Sequence, residues 1–362
     1  MPAPSFLIMP ERIINWWETI SASAGASLVV EMKNWLSFMG EGSNGDHLAG
    51  GSAPVFRGRA SVIVKPAIFA YSRNMNDFVA VRVVSPPAGV RQVPLVLDSP
   101  HSGRVYPADF GYACDFAHLR KAEDTDVDDL FGDAPSLGAT LICAEFPRSY
   151  LDPNRRVEDV DESLMDGRWP HPVDHSPKTR SGIGLVWRVL DDKSPIYSRK
   201  LSVAEVERRI SHCHAPYWAA VTRAIEAAHG ASGRVVHLNC HSMPAEAGPV
   251  SWVKPGTRFA DIVLGDRDGS TCSPALTTLI AEAFRSEGLS VAINDPYKGV
   301  ELVKRFGRPQ DDRHSIQIEI NRKLYMNEAT RERTGDYPAL KALLTRVTAR
   351  IAAFAAAAPA AA

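Results

Sequence analysis

The chain has 362 residues, 45% hydrophobic, 23% charged and 8% aromatic, a balance that supplies a large apolar core and excludes a disordered chain. Its 41 Lys and Arg against 42 Asp and Glu leave a formal charge of -1, so no global field draws it to nucleic acid or to an anionic membrane surface. No apolar run reaches the roughly 18 residues of a spanning helix, and five scattered cysteines without a CxxC pair argue against a disulfide framework or a thiolate zinc site and fit a reducing cytoplasm.

Residues 1–74 differ from the remainder. The opening MPAPSFLIMPERIINWW is interrupted by Pro10, Glu11 and Arg12 and has no basic leader, unlike a secretory signal. A helix is expected between Ile8 and Phe38, then the Gly-rich GEGSNGDHLAGGSAP, then a strand or hairpin arm in ASVIVKPAIFAY. No chemistry is legible there, and Met75 is a candidate translation start. Residues 1–74 therefore read as an extension without an assigned role, and residues 75–362 as the catalytic domain.

From Phe78 onward short apolar runs alternate with amphipathic stretches, the pattern of an α/β fold with a mostly parallel mixed sheet and helices on both faces. Strands are expected at 93–98, 139–145, 234–240, 260–265, 289–294 and 315–320. A long helix is marked by Val203, Val206, Ile210, Cys213, Tyr217, Val221 and Ile225, bent at Pro216 and stopped at Gly230. Further helices are expected near Pro274 to Glu287 and Tyr337 to Ala356, with an Ala-rich end that frays. The Pro-rich stretch from Val157 to Tyr197 has no periodicity and reads as a long excursion of the kind that forms functional lids.

Two apolar runs end in a His-Ser pair, VPLVLDSPHSG at His101 and VVHLNCHSM at His241. Sites in open parallel sheets form beyond the carboxyl ends of the strands, so both imidazoles are expected in one crevice. A catalytic zinc takes three protein ligands and keeps one position open. The third ligand is available in KAEDTDVDDLF, where Glu123, Asp124 and Asp126 are equal candidates; on a helix Asp124 and Asp128 share a face while Val127, Leu130 and Phe131 turn to the core. Iron, cobalt or manganese suit the same donors.

In SIQIEINR, Ile316, Ile318 and Ile320 project to one side of a strand and Gln317, Glu319 and Asn321 to the other. A carboxylate inside a covered sheet costs several kcal/mol unless paired or beside a metal, which makes Glu319 a candidate general base. FPRSYLDPNRR places Arg148, Asn154, Arg155 and Arg156 after a strand, and an Asn-Arg pair suits a small acidic substrate. NDPYKG adds a polar loop with Tyr297 and Lys298. No G-x-S-x-G elbow serves a serine hydrolase and no G-x-G-x-x-G turn serves a dinucleotide.

In order, SPHSGRVYP, EDTDVDDLF, FPRSYLDPNR, CHSMP, VLGDRDGS, NDPYKG and QIEINRKLYM resemble the N-formylglutamate amidohydrolase family over about Pro94 to Glu328. The resemblance implies a phosphorylase/hydrolase-like α/β fold related to zinc carboxypeptidases, and hydrolysis of N-formyl-L-glutamate to formate and glutamate in histidine degradation. It implies His101 and His241 as zinc ligands with Asp124 as the acidic third, although the close His-x-x-Glu spacing of carboxypeptidases is absent and Arg104 stands there. It implies Asn154 and Arg155 on a substrate carboxylate and Glu319 as general base to zinc-activated water. Arg148 or Arg322 is then the partner of the second carboxylate. A sibling specificity for another N-acyl amino acid or formyl amide, and a non-catalytic binder of acidic metabolites, are the competing expectations.

Overall fold

A computed structural model describes residues 71–72, 78–248 and 253–357. The expected helix between Ile8 and Phe38, nearly all of the arm at 60–71 and the last residues of the Ala-rich tail lie outside the described residues.

Seven strands form the main sheet: β1 (Val81–Val84), β2 (Leu95–Ser99), β3 (Thr140–Ala144), β4 (Val235–Met243), β5 (Ile262–Gly265), β6 (Val291–Ile293) and β7 (Arg313–Asn321). Their order is β6-β5-β7-β4-β2-β3-β1. The central β7, β4, β2 and β3 are parallel, while β1 pairs antiparallel with β3 and β5 antiparallel with β7. The fold is thus the mixed, mostly parallel α/β architecture that the alternating pattern predicts; β1 was not among the expected strands.

Alternation within the strands separates two faces. Leu95, Leu97, Val236, Leu238, Cys240, Ile316, Ile318 and Ile320 enter one apolar core. That core is closed by α3 (Pro274–Ser286), with Ser273 as N-cap, and by α5 (Tyr337–Ala356) through Tyr337, Leu340, Leu344, Val347 and Ile351. The alternate residues Asp98, His237, Asn239, His241, Ser315, Gln317 and Glu319 are buried on the other face. There Tyr217 of α2 (Ala215–Ser232) donates to Asp98 Oδ2 at 2.6 Å, and Phe306 of α4 (Glu301–Phe306) lies 5.8 Å from the His237 ring. One face is dry and the other carries the chemistry.

Two expectations are corrected here. The bend assigned to Pro216 is a π-helical turn, Ile210–His214, between α1 (Val203–Arg209) and α2; proline offers no N–H to the His212 carbonyl and its ring crowds it, so the helix widens. The helix also runs past Gly230 to Ser232, and ends at Gly233, whose φ of 72° is the left-handed conformation glycine adopts without penalty.

Ile318 is fully buried at the centre of the sheet. Ile318→Ala is expected to lower unfolding stability by about 2–5 kcal/mol, read as a shifted urea midpoint with an unchanged slope.

Candidate metal centre

The parallel register aligns β4 and β7 so that Ser315 faces His237, Gln317 faces Asn239 and Glu319 faces His241. β4 continues to Met243, so His241 lies within the strand and not beyond its end as expected. Its ring therefore takes its direction from the pleat. His101 follows β2 in a turn that needs Gly103, where a Cβ would collide with the Phe146 carbonyl.

The acidic segment is not one helix. Arg120–Ala122 is a 3-10 turn, Asp126 has a φ of 65°, and the helix proper is only Val127–Leu130. Asp124 and Asp128 thus do not share a helical face, although Val127, Leu130 and Phe131 are buried as expected. The Asp124 N–H donates to the His101 carbonyl at 3.0 Å, which ties the segment to the β2 turn. Of the three acidic candidates, Glu123 binds Tyr106 and Arg120, and Asp126 binds Arg104 and Arg333. Asp124 alone reaches the histidines.

Asp124 Oδ2 is 3.0 Å from His241 Nδ1 and 3.3 Å from His101 Nδ1. One donor atom from each of these residues lies within 4.8 Å of the others, and all three residues are buried. The far ring nitrogens also face acceptors: His101 Nε2 is 2.8 Å from Asp152 Oδ1, and His241 Nε2 is 2.7 Å from Asn239 Oδ1. A neutral imidazole has one N–H and so cannot donate on both sides. Nε2–H donors to Asp152 and Asn239 leave two Nδ1 lone pairs converging on a carboxylate, and these donors fit a divalent cation. Burial disfavours the charged form of Asp124, yet the positive charge near it, that of Arg148 included, holds its carboxyl well below the usual range. Arg322 donates to Asp124 Oδ1 at 2.9 Å and to Ser242 Oγ at 3.0 Å.

Glu319 is also buried, accepts from Gln317 Nε2 at 2.8 Å, and is pushed up to about 7 by burial. It lines a cavity of about 440 Å³ together with His101, Asp124, His241, Arg148 and Tyr297, a size suited to a small metabolite. Burial keeps the Tyr297 phenol protonated well above its ordinary range. Tyr297 belongs to a loop following an antiparallel strand and still reaches the cavity, because Gly265 lets the backbone of Gly299 pass: a Cβ there would lie 2.6 Å from the Gly299 nitrogen.

The loop after β3 is clamped from α2 and the turn before it, where His214 Nε2 donates to the Arg155 carbonyl at 2.8 Å and Trp218 Nε1 to the Pro153 carbonyl at 2.9 Å. Asn154 accepts from the Leu302 N–H at 3.1 Å and donates to Asn239 at 3.3 Å. Arg155 donates to the Asn154 and Ile183 carbonyls, and Arg148 to Asp152 at 3.1 Å. Arg156 lies apart, paired with Asp174 at 2.7 Å.

The excursion from Val157 to Tyr197 is ordered around buried Val160, Leu164, Trp169, Leu185 and Ile196. It walls the cavity with Lys178, Ile183, Trp187 and Leu190. Burial and the charges of Arg155 and Arg148 push the Lys178 amine down to about 7. Sequence reading missed Asp152, Asn239 and Lys178. The signal for Asn239 was present, since His237, Asn239 and His241 alternate along VVHLNCHSM; Asp152 had only its place between Arg148 and Asn154, and Lys178 had none.

The chain is similar to known proteins over most of its described residues. A family model described as N-formylglutamate amidohydrolase matches residues 93–326. An N-formylglutamate deformylase of Pseudomonas aeruginosa is 28% identical over 244 residues, covering 66% of this chain and 84% of that protein. That of Pseudomonas putida is 24% identical over 241 residues, covering 66% and 83%. The crystal structure of N-formylglutamate amidohydrolase from Ralstonia eutropha aligns with a TM-score of 0.74 and 48% identity over 76% of this chain and 98% of that one.

The Asp152 contact is the direct support for the His101 ring. Asp152→Asn is expected to weaken zinc binding about 10–100-fold, measured by competition with a chromophoric chelator.

Proposed function

The chain belongs to the N-formylglutamate amidohydrolase family, and on that premise we propose that it hydrolyses N-formyl-L-glutamate to formate and L-glutamate, as a step of histidine degradation in the cytoplasm. The proposed catalytic unit is residues 75–362, with residues 1–74 an extension without an assigned role. The observation that carries the reading is the convergence of two imidazole Nδ1 atoms and the Asp124 carboxylate beside a buried Glu319 in one cavity.

His101, Asp124 and His241 would hold the metal, zinc first among the divalent ions that suit these donors. When bound, such an ion supplies Lewis acidity that polarises the formyl carbonyl and favours ionisation of water. Glu319 accepts the proton of the attacking water as its oxygen bonds to the formyl carbon. It returns that proton to the nitrogen as the C–N bond breaks, so the products are formate and the free amine. A carboxyl pushed up to about 7 by burial is suited to both halves of that transfer.

Arg148, with Nη1 3.7 Å from Asp124 Oδ1, is placed to steady the negative charge that grows on the formyl oxygen. Arg155 and Asn154 would orient one substrate carboxylate, and Lys178, which lines the same cavity, would meet the second. Arg322 holds Asp124 more than it serves the substrate, since its Nε and Nη2 bind Ser242 and Asp124. Tyr297 lines the cavity and offers a protonated phenol as donor.

Purified protein is expected to release formate from N-formyl-L-glutamate, to lose that activity to a chelator and to regain it with zinc. No release from a folded, zinc-loaded sample would move the substrate to another N-acyl amino acid or formyl amide. Failure across a panel of both would leave a binder of acidic metabolites. Glu319→Gln is expected to retain zinc while lowering kcat about 100-fold or more; full turnover would remove Glu319 from its role. Lys178→Met is expected to raise KM for N-formyl-L-glutamate about 10–100-fold, and to leave N-formyl-L-glutamine, which lacks the second charge, nearly unchanged.

A further inference from the structure

Beyond the ligands, the polar face of the sheet holds a buried group that the reaction does not touch. Asp98 is fully buried on β2. Its Oδ1 accepts from His237 Nε2 at 2.8 Å and from Asn239 Nδ2 at 2.9 Å, and its Oδ2 accepts from Tyr217 at 2.6 Å. We propose that Asp98 is a positioning residue that acts through Asn239 to fix the proton of His241 on Nε2 and so keep the Nδ1 lone pair aimed at the metal position.

The argument is one of donors and acceptors. The two ends of a carboxamide are nearly the same shape, one donating and one accepting, so an asparagine between two partners can be inverted unless one partner has a single role. An ionised aspartate only accepts. Asp98 therefore compels Asn239 to present its NH2 toward β2 and its carbonyl oxygen toward His241. Facing that oxygen at 2.7 Å, His241 Nε2 must be the donor. Nδ1 is then left as a lone pair on the side of Asp124, 3.0 Å away.

Asn154 turns its NH2 to the same point, because its Oδ1 takes the Leu302 N–H; that NH2 lies 3.3 Å from Asn239 Oδ1 and 3.1 Å from His241 Nε2, and the nearer neighbour of Nε2 is the Asn239 oxygen at 2.7 Å, which can only accept. The charge on Asp98 is itself provided for. Burial opposes it, while the contacts with His237, Tyr217 and Asn239 bring its carboxyl below the ordinary range. His237 is fixed in turn by Ser315 Oγ at 2.8 Å. His101 takes its orientation from a carboxylate directly, and His241 takes it from a carboxylate at one remove.

This inference rests on the metal reading above, and its test separates the two. Zinc affinity is measured on metal-free protein by chelator competition, and the protonated nitrogen of His241 by long-range 15N–1H spectra, with the resonance assigned by its loss in His241→Gln. Asp98→Asn, which lets the Asn239 amide invert, is expected to weaken zinc binding about 10–100-fold and to shift the His241 proton from Nε2 toward Nδ1. Tyr217→Phe removes a bond to the same carboxylate but leaves the Asn239 contact, and is expected to change affinity less than about 3-fold while lowering thermal stability.

Equal losses in both variants, or an Asp98→Asn protein with wild-type affinity and tautomer, would overturn the proposal. If Asp98→Asn does not fold, the wild-type spectrum still decides: neutral His241 protonated at Nδ1 is incompatible with the orientation argued here, and Nε2–H upholds it. A wild-type protein that takes up no zinc, yet whose tautomer shifts in Asp98→Asn, would sink the metal reading and leave the positioning role standing.

Discussion

Three buried carboxylates, Asp98, Asp124 and Asp152, must each be opposed by donors, and that constraint organises the polar half of this molecule. An isolated carboxylate in a protein interior costs several kcal/mol or loses its charge. Here each accepts from imidazole, amide, phenol or guanidinium groups. Asp152 gathers His101, Arg148, Trp187 and the Asn154 N–H. Asp124 accepts from Arg322 and faces the Nδ1 atoms of His101 and His241. The far nitrogens of those rings are held by Asp152 and Asn239, so both rings are oriented toward Asp124.

Glu319 differs, and the difference gives it its use. It has burial without an arginine in contact; Gln317 is its hydrogen-bond partner, and the charge of Asp124 opposes its ionisation. Its carboxyl therefore rises, while Asp124 in the same cavity falls. Two acidic side chains in one cavity with opposite shifts suit the proposed division into a ligand and a proton carrier. The arginines that the sequence offers as substrate cations are partly engaged with protein groups, and the excursion adds the Lys178 amine to the cavity lining. Residues distant in the chain complete one polar enclosure.

Much of this was legible beforehand because it depends on periodicity. Alternation in SIQIEI fixes which side of β7 is apolar whatever lies next to it, and the 3.6-residue stripe gives α5 its limits from Tyr337 to Ala356. The His-Ser pair at His101 was readable as following a strand, whereas that at His241 lies inside one. The acidic segment was not readable as built, because a left-handed Asp126 interrupts what composition presents as helix. The length of β4 was likewise hidden: a polar residue at every second position resembles the end of a buried strand until a second polar face is there to receive it.

The sequence alone determined the two faces of the sheet, the parallel core of strands and the types of donor available, since these follow from side-chain period and chemistry within a few residues. Tertiary structure decided which of Glu123, Asp124 and Asp126 meets the histidines, that Asp152 and Asn239 hold their far nitrogens, and that Lys178 enters the cavity. Apart from Asn239, two positions from His241, those choices are distances between residues tens to more than a hundred positions apart. Nothing in local propensity encodes them; they are set by strand register and by the requirement that every buried charge find a partner.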